Sequence, residues 1–408
     1  MVATLVFWAG VGLAGFMLAV HLVILAGILR ASIREHLSAS GVEQAANRNG
    51  PAVSVSLVVP CKDEEDNLPR LLESLKPAIR RSLERRKIEL ILIDDRSRDN
   101  TAEIMESFRD ACEAGVQGLH VQVLHVEQAD SPLQSANPKQ YALSKGTASA
   151  TGDILLFTDA DCTVGASWIE DIASLFDMDE QLGLVFGPLV ARDRSTFLTQ
   201  YQAFDQLFRY FYTAGAAGLG VASGGYGNNL ACRASVLAEV GGYEGIGISV
   251  TEDAQLISAV RKTERYRIYG LTRKRVSVSP RPQQGIGAML RQSLRWNAGG
   301  LKSPDLPTRM SYGLVMLYLS FSVYLVPVVL VAAALGLSTL WPVLFTTLSS
   351  FLSMLAVAVA AGVATRRPLA YWGLLVPNVV FSMLFYSVVT FRTLIGARVE
   401  WKGAVLPG

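Results

Sequence analysis

Three acidic clusters stand in order along this chain, followed by one short basic and aromatic motif. They are Asp94-Asp95, Asp159-Ala160-Asp161 and Thr251-Glu252-Asp253, then Gln292-x-x-Arg295-Trp296. Carboxylates two residues apart after the apolar run Ile154–Phe157 suit a hard divalent cation, Mg²⁺ or Mn²⁺, which takes carboxylate oxygens alongside substrate phosphates. Such a cation neutralises charge that builds on a leaving diphosphate. If the pleat continues past Phe157, Asp159 and Asp161 point to one face. A D-x-D triplet alone is weak, because surface loops contain it often; the strand before it strengthens it. Asp94-Asp95 also follows an apolar run, and carboxylates there can accept hydrogen bonds from a nucleobase or ribose. Helix capping is already served by Asp99 and Thr101.

An ordinary Asp is ionised at pH 7, so Asp253 can take the proton of a hydroxyl as that hydroxyl attacks carbon. The same run suits a helix start, with Thr251 as N-cap and acids in the first turn, and both readings can hold. Gln292, Arg295 and Trp296 share a helical face at i, i+3 and i+4. Arg295 suits a diphosphate, and Trp296 offers a flat surface to a sugar or lipid acceptor. Ile286, Leu290 and Leu294 lie opposite, so the helix is expected to rest on membrane lipid, although a generic interfacial helix would also carry Arg and Trp.

These residues need a scaffold, and the pattern between them supplies one. Val53–Val59, Ile88–Ile93, Leu119–Val126 and Asp153–Thr158 read as strands. Helical spacing at Leu68, Leu71, Leu72 and Leu75, a helix from Thr101 through Phe108 and another over Tyr141–Ala150 alternate with them. The expectation is a doubly wound α/β domain whose ligand sits beyond the carboxyl ends of the strands, where Asp94-Asp95 and Asp159/Asp161 both fall. Gly218–Gly225 is not a G-x-G-x-x-G run and follows no clear strand, which argues against a dinucleotide fingerprint.

Mean hydropathy is +0.32, and the apolar residues concentrate at the two ends. Residues 3–29 are apolar apart from His21, enough for a bilayer core of roughly 30 Å, and lack the basic leader of a signal peptide. Arg30 and Arg34 follow, with no Lys or Arg before, which puts the N-terminus outside and the next domain in the cytosol. Apolar stretches recur at about 311–337, 340–363 and 369–391, with Arg366 and Arg367 between the last two. Three full spans would leave the tail outside, yet Arg392, Arg398 and Lys402 favour the cytosol; a break at Pro377-Asn378 into a re-entrant pair would reconcile them. A net charge of +2 gives no case for nucleic acid. Cys61, Cys112, Cys162 and Cys232 contain no C-x-x-C and read as free thiols, and four His without ligand spacing give no case for zinc.

Taken in order, the four clusters resemble those of membrane-bound family-2 glycosyltransferases, among them cellulose, chitin and hyaluronan synthases and ceramide glucosyltransferase. The likeness runs from Val53 to Trp296 and includes Val59-Pro-Cys-Lys-Asp-Glu64, Asp94-Asp-Arg-Ser-Arg-Asp-Asn-Thr101, Pro138-Lys-Gln-Tyr-Ala-Leu143 and Gly227-Asn-Asn-Leu-Ala-Cys-Arg233. It implies a GT-A-type nucleotide-sugar-binding domain between N-terminal and C-terminal transmembrane helices. By that resemblance Glu64, Asp94 and Asp95 hold the nucleoside, and Lys139 and Asp159 face the nucleotide. Asp161 with Asp159 holds the divalent metal, and Asp253 is the base of an inverting transfer. Gln292, Arg295, Trp296 and Asn229 serve acceptor and diphosphate. Trp401-Lys-Gly403 is similar to a W-K-G-R tail, but Ala404 replaces the arginine.

The expected organisation is an anchor at 1–30, a connector at 31–52, a cytosolic catalytic domain at 53–280, an interfacial helix region at 281–310, a transmembrane region at 311–395 and a tail at 396–408. The expected partners are a nucleotide-sugar donor, the family's usual one being a UDP-sugar, a lipid or glycan acceptor and the bilayer. A multi-pass protein with four spans or fewer would wall only a narrow channel, so single transfer to a lipid is favoured over a processive polysaccharide synthase. A membrane protein that binds a nucleotide sugar without turnover is the alternative of a different class. A transporter fits poorly, since the last three apolar stretches hold no Asp or Glu.

Overall fold

The computed structural model describes residues 2–45, 52–113, 118–191, 195–301, 303, 305–336, 341–396, 400–401 and 404–405. A long helix, α1 (Val2–Ala45), leads into β1 (Val55–Cys61), α2 (Leu68–Leu83), β2 (Ile88–Asp94), α3 (Thr101–Glu113) and β3 (Leu119–His125). Then come α4 (Pro132–Ala136), α5 (Pro138–Ser149), β4 (Ile154–Phe157), β5 (Cys162–Thr163), α6 (Trp168–Met178), β6 (Leu182–Phe186) and α7 (Phe197–Gly218). A 3₁₀ turn at Gly227–Asn229 opens β7 (Leu230–Arg233), followed by α8 (Ala234–Glu239), α9 (Gly242–Gly245), α10 (Glu252–Lys262), β8 (Arg267–Gly270) and β9 (Ser279–Pro280). The chain ends in helices α11 (Ile286–Leu301), α12 (Leu306–Ala334), α13 (Trp341–Ala364), α14 (Leu369–Gly373) and α15 (Leu375–Leu394).

β1, β2 and β4 bury on both faces because they are apolar nearly throughout, and such strands pair in parallel inside a sheet. The sheet has seven strands in the order β3-β2-β1-β4-β7-β6-β8, with Val55 opposite both Ile88 and Ile154. β7 alone runs antiparallel, between β4 and β6, so the expected doubly wound domain is a mixed α/β sheet. The reversal has a use. It brings the start of β7, with the Gly227–Asn229 turn, to the edge where β1, β2 and β4 end.

One sheet face packs on α2 and α6, whose Leu68, Leu71, Leu72, Leu75 and Trp168 are buried as the helical spacing requires. The other face packs on α5, α7 and α10, and this core continues without a break into α13 and α15 through Phe204, Phe208, Met354, Val357, Val379 and Tyr386. The sheet and the membrane helices therefore share one apolar core. A Cβ at Gly27 would lie 2.1 Å from the Gly215 carbonyl oxygen, and one at Gly218 would lie 2.0 Å from that of Gly27. Only glycine lets α1 and α7 approach this closely, as small residues do in membrane helix pairs.

Among the described residues, three helices are long and apolar enough to cross a membrane: Phe7–Leu37, Leu344–Ala364 and Leu375–Leu394. α12 is a helix of 29 residues in the first expected C-terminal stretch. Two expectations change. α1 continues to Ala45, so the expected connector is helical at its start, and residues 46–51 lie outside the described ones. The last apolar stretch is interrupted at Leu374 and not at Pro377-Asn378, and α15 then runs unbroken. Pro377 falls in the first turn of α15, where an N–H has no intrahelical partner to lose. Arg398 and Lys402 lie outside the described residues.

Candidate active site

A cavity of about 350 Å³ opens where the carboxyl ends of β1, β2 and β4 meet α11. Glu64, Asp95, Lys139, Asp159, Asp161 and Asp253 line it, and so do Gln292, Arg295 and Trp296. Residues far apart in sequence thus share one wall because parallel strands end together. Two expected site residues do not. Asp94 turns into the β2–α3 loop, where it accepts from the Ser97 N–H at 3.0 Å and faces His125 at 3.3 Å. Asn229 is fully buried: its Oδ1 accepts from Trp168 Nε1 at 3.0 Å, and its Nδ2 donates to the carbonyls of Pro188 and Val276 at 3.0 and 2.9 Å. With those bonds made, Asn229 braces the turn and leaves its neighbours Tyr226 and Asn228 to face the cavity.

At the strand ends, Asp95 Oδ1 accepts from Arg96 Nε at 2.8 Å, while its buried Oδ2 has no partner among the described residues. Burial raises this carboxyl above its ordinary range although Arg96 pulls it down. An unpaired buried acceptor on a cavity wall fits a hydroxyl or N–H donor from a ligand. The pleat does not persist past Phe157. Asp159 and Asp161 sit in a turn closed by the Cys162 N–H to the Asp159 carbonyl at 3.1 Å, and both still line the cavity.

Lys139 reaches Asp159 at 2.8 Å and Glu252 at 3.2 Å. Burial alone would lower its ammonium, but the two carboxylates outweigh that and hold it charged well above the usual lysine range. Asp161 is pushed up to about 7, by burial first and then by the charges of Asp159 and Glu64. Two carboxylates this close on a cavity wall, one of them raised, fit a divalent cation. No three His, Cys, Asp or Glu side chains among the described residues are grouped as a metal site, so substrate phosphate oxygens would complete the coordination of Asp159 and Asp161.

Asp253 lies in the first turn of α10, but the Thr251 side chain makes no capping bond. Asp253 itself accepts from the Gly227 and Ala254 N–H groups, each at 2.8 Å. A Cβ at Gly227 would stand 3.2 Å from the Asp253 Cβ, so the turn approaches this closely because glycine is there. Burial and then the adjacent Glu252 charge raise Asp253 to about 6, against the pull of Lys139. A base ionised at neutral pH and held near the proton-transfer range suits general-base work.

On the far wall, α11 does not rest on lipid along the face expected. Leu294, Met289 and Asn297 are buried in protein, and Asn297 Nδ2 donates to Thr393 of α15 at 3.1 Å; only Ile286 of the expected apolar face is well exposed. The Trp296 ring lies 4.4 Å from the Arg209 guanidinium of α7, which fills one side of it. Arg209 pairs with Asp205 at 2.8 Å, and Asp205 accepts from Tyr386 Oη of α15 at 2.5 Å. Sequence reading missed Arg281, Arg291, Tyr226, Asn228 and Gln206 on the cavity wall. Arg291 was within reach, standing four residues before Arg295 on the same helical face; Gln206 and Arg209 carry no local signal.

The chain matches the profile of Glycosyl transferase family 2 over residues 56–241 and that of Glycosyl transferase family group 2 over residues 154–391. The second match covers more than half of it, and the chain belongs to that glycosyltransferase group. It is 35% identical over 108 residues to 4,4'-diaponeurosporenoate glycosyltransferase of Staphylococcus haemolyticus, covering 26% of this chain and 24% of that one. It is 34% identical over 112 residues to undecaprenyl-phosphate 4-deoxy-4-formamido-L-arabinose transferase of Klebsiella pneumoniae, covering 27% and 30% respectively. Probable glycosyltransferase YdaM of Bacillus subtilis is 24% identical over 204 residues, 50% of this chain and 45% of that one. The chain thus spans less than half the length of these curated relatives. Among solved structures, the mannosyltransferase PcManGT from Pyrobaculum calidifontis, in complex with GDP-Man and Mn²⁺, superposes with a TM-score of 0.47 at 15% identity, over 93% of this chain and 99% of that one.

Proposed function

We propose that this chain is an inverting glycosyltransferase that moves a sugar from a nucleoside-diphosphate sugar, a UDP-sugar being the family's usual donor, to a lipid acceptor at a membrane surface. The observation that carries this reading is the meeting of Asp161, Asp253 and Arg295 on one cavity beside α11 and α15. Asp95, through its unpaired oxygen, accepts hydrogen bonds from the nucleoside. Asp159 and Asp161 would hold a divalent cation, which would supply charge neutralisation for the diphosphate. Asp253 takes the proton of the acceptor hydroxyl as that oxygen attacks the anomeric carbon and the nucleoside diphosphate leaves. Arg295 supplies charge to the departing diphosphate, and Trp296, held by Arg209, gives sugar or acceptor a flat wall. The relatives named for undecaprenyl-phosphate transfer and for diaponeurosporenoate glycosylation support a lipid acceptor.

Helix pairing supports an orientation. Thr346 of α13 donates to the Gly10 carbonyl of α1 at 3.2 Å, and Ser32 and Ala364 share a cleft, so the two helices run in parallel and both end towards the sheet domain. Arg30, Arg34, Arg366 and Arg367 then lie on the domain side, which the positive-inside rule makes cytosolic. α15 is tied to domain helices along its length, through Ser382 to Tyr201, Tyr386 to Asp205 and Thr393 to Asn297. Val376, Val380, Leu384, Val388, Phe391 and Leu394 form an exposed apolar stripe along it. This supports a helix lying in the interface and a tail on the cytosolic side, with α1, α12 and α13 as the crossings.

The test is nucleoside-diphosphate release by the purified chain in detergent, screened over nucleotide sugars with lipid extract, with and without Mn²⁺ or Mg²⁺. A labelled, lipid-extractable product is expected; a high-mass polymer would make it a processive synthase. Donor binding without any product from any acceptor would overturn catalysis.

A further inference from the structure

A second cleft, of about 980 Å³, shares no lining residue with the catalytic cavity. It lies where α13 ends beside α1 at Ser32 and His36 and meets the loop before β9. His36 of α1, Arg273, Lys274 and Arg275 of that loop, and Arg366 just beyond α13 line it, with Ser32, and no acidic side chain among the described residues does. Two of these cations are satisfied locally: Arg273 donates to His36 Nδ1 at 3.0 Å, and Arg275 pairs with Asp171 at 3.0 Å. Lys274 and Arg366 are exposed, and neither forms an ion pair among the described residues.

The Arg367 N–H bonds the Gly362 carbonyl at 2.9 Å, closing α13 with a left-handed turn, and Arg366 takes the φ of 49° that glycine ordinarily fills there. Arg366 also lines the cleft. Ile33 and Leu37 of α1 and Val363 of α13 are exposed apolar residues next in sequence to the lining residues Ser32, His36 and Ala364. Basic side chains beside exposed apolar surface on two apolar helices are the chemistry of a phospholipid and not of a free anion.

We propose that this cleft seats the headgroup phosphate of an anionic phospholipid, bound by Lys274 and Arg366 with its acyl chains along α1 and α13. The site is separate from the sugar-transfer site and does not depend on catalysis. The test is native mass spectrometry of the full chain in detergent, with phosphatidylglycerol and phosphatidylcholine of matched acyl chains, on the wild type and on the K274A/R366G double variant. Both side chains are exposed, and Arg366→Gly relieves the backbone, so the variant is expected to fold. Each basic group near a membrane surface is worth about fivefold in affinity, so the variant is expected to hold phosphatidylglycerol about 25-fold more weakly, with phosphatidylcholine unchanged. Equal retention of the two lipids by the wild type, or an unchanged preference in the variant, would overturn the proposal. So would displacement of phosphatidylglycerol by millimolar inorganic phosphate, which would make the cleft a free-phosphate site.

Discussion

The two walls of the catalytic cavity are built by different means. The strand-end wall, with Asp95, Asp159 and Asp161, is set by hydrogen-bonded strands that end together, and its side chains are close to their own strand in sequence. The α11 wall, with Gln292, Arg295 and Trp296, is set by side chains from α7 and α15 that lie roughly ninety residues away on either side. A sheet edge tolerates changes elsewhere because its register is over-determined; a packed helix moves when its supports move. The first wall carries unbalanced negative charge, and the second supplies the positive charge and the link to the membrane helices.

The sharpest way to break the comparison is at the residue between the walls. Asp253→Asn is expected to lower the transfer rate about 10³-fold, with donor affinity unchanged by calorimetry. In the wild type the base must be ionised, and it is raised to about 6, so the rate should be flat above about pH 7 and fall about tenfold per unit below about 6. A flat profile down to pH 5 would remove Asp253 from the role.

Asn229→Ala, behind the strand-end wall, loses three buried hydrogen bonds and is expected to cost about 3 kcal/mol in denaturant unfolding. The folded fraction should keep its KM for donor; a large KM change would return Asn229 to the substrate site.

Asp161→Asn tests the charge imbalance. Because its folded-state pKa is raised to about 7, the native chain holds a proton that the unfolded chain has released between roughly pH 4 and 7, and stability falls as pH rises through that window. The amide removes this penalty, so the metal-free variant should melt higher, by about 2 °C or more at pH 7.5, while metal-dependent activity is lost. A lower melting temperature would show that the wall is not electrostatically strained.

The smallest effect is expected on the helix side. Tyr386→Phe removes one hydrogen bond to Asp205, behind Arg209 and Trp296, and should slow transfer about fivefold at unchanged donor affinity. If donor binding falls equally, the two walls are not separable.

Local sequence carried much of this. Apolar strands bounded by acids, the helical face of Gln292, Arg295 and Trp296, and the apolar ends were all legible, because period, burial and strand polarity follow from nearest neighbours along the chain. The family resemblance rested on the same runs, and the profile matches agree with it. The antiparallel course of β7, the inward turn of Asn229, the filled face of Trp296 and the buried back of α11 were not legible. Each depends on a partner distant in sequence, and the chain writes no local mark for who that partner is. By itself the sequence determined which side chains could do the chemistry and that they stand beside apolar helices. Only the tertiary structure decided which of them share a cavity, because burial and long-range pairing, and not residue type, settle where a polar group can leave its hydrogen bonds open.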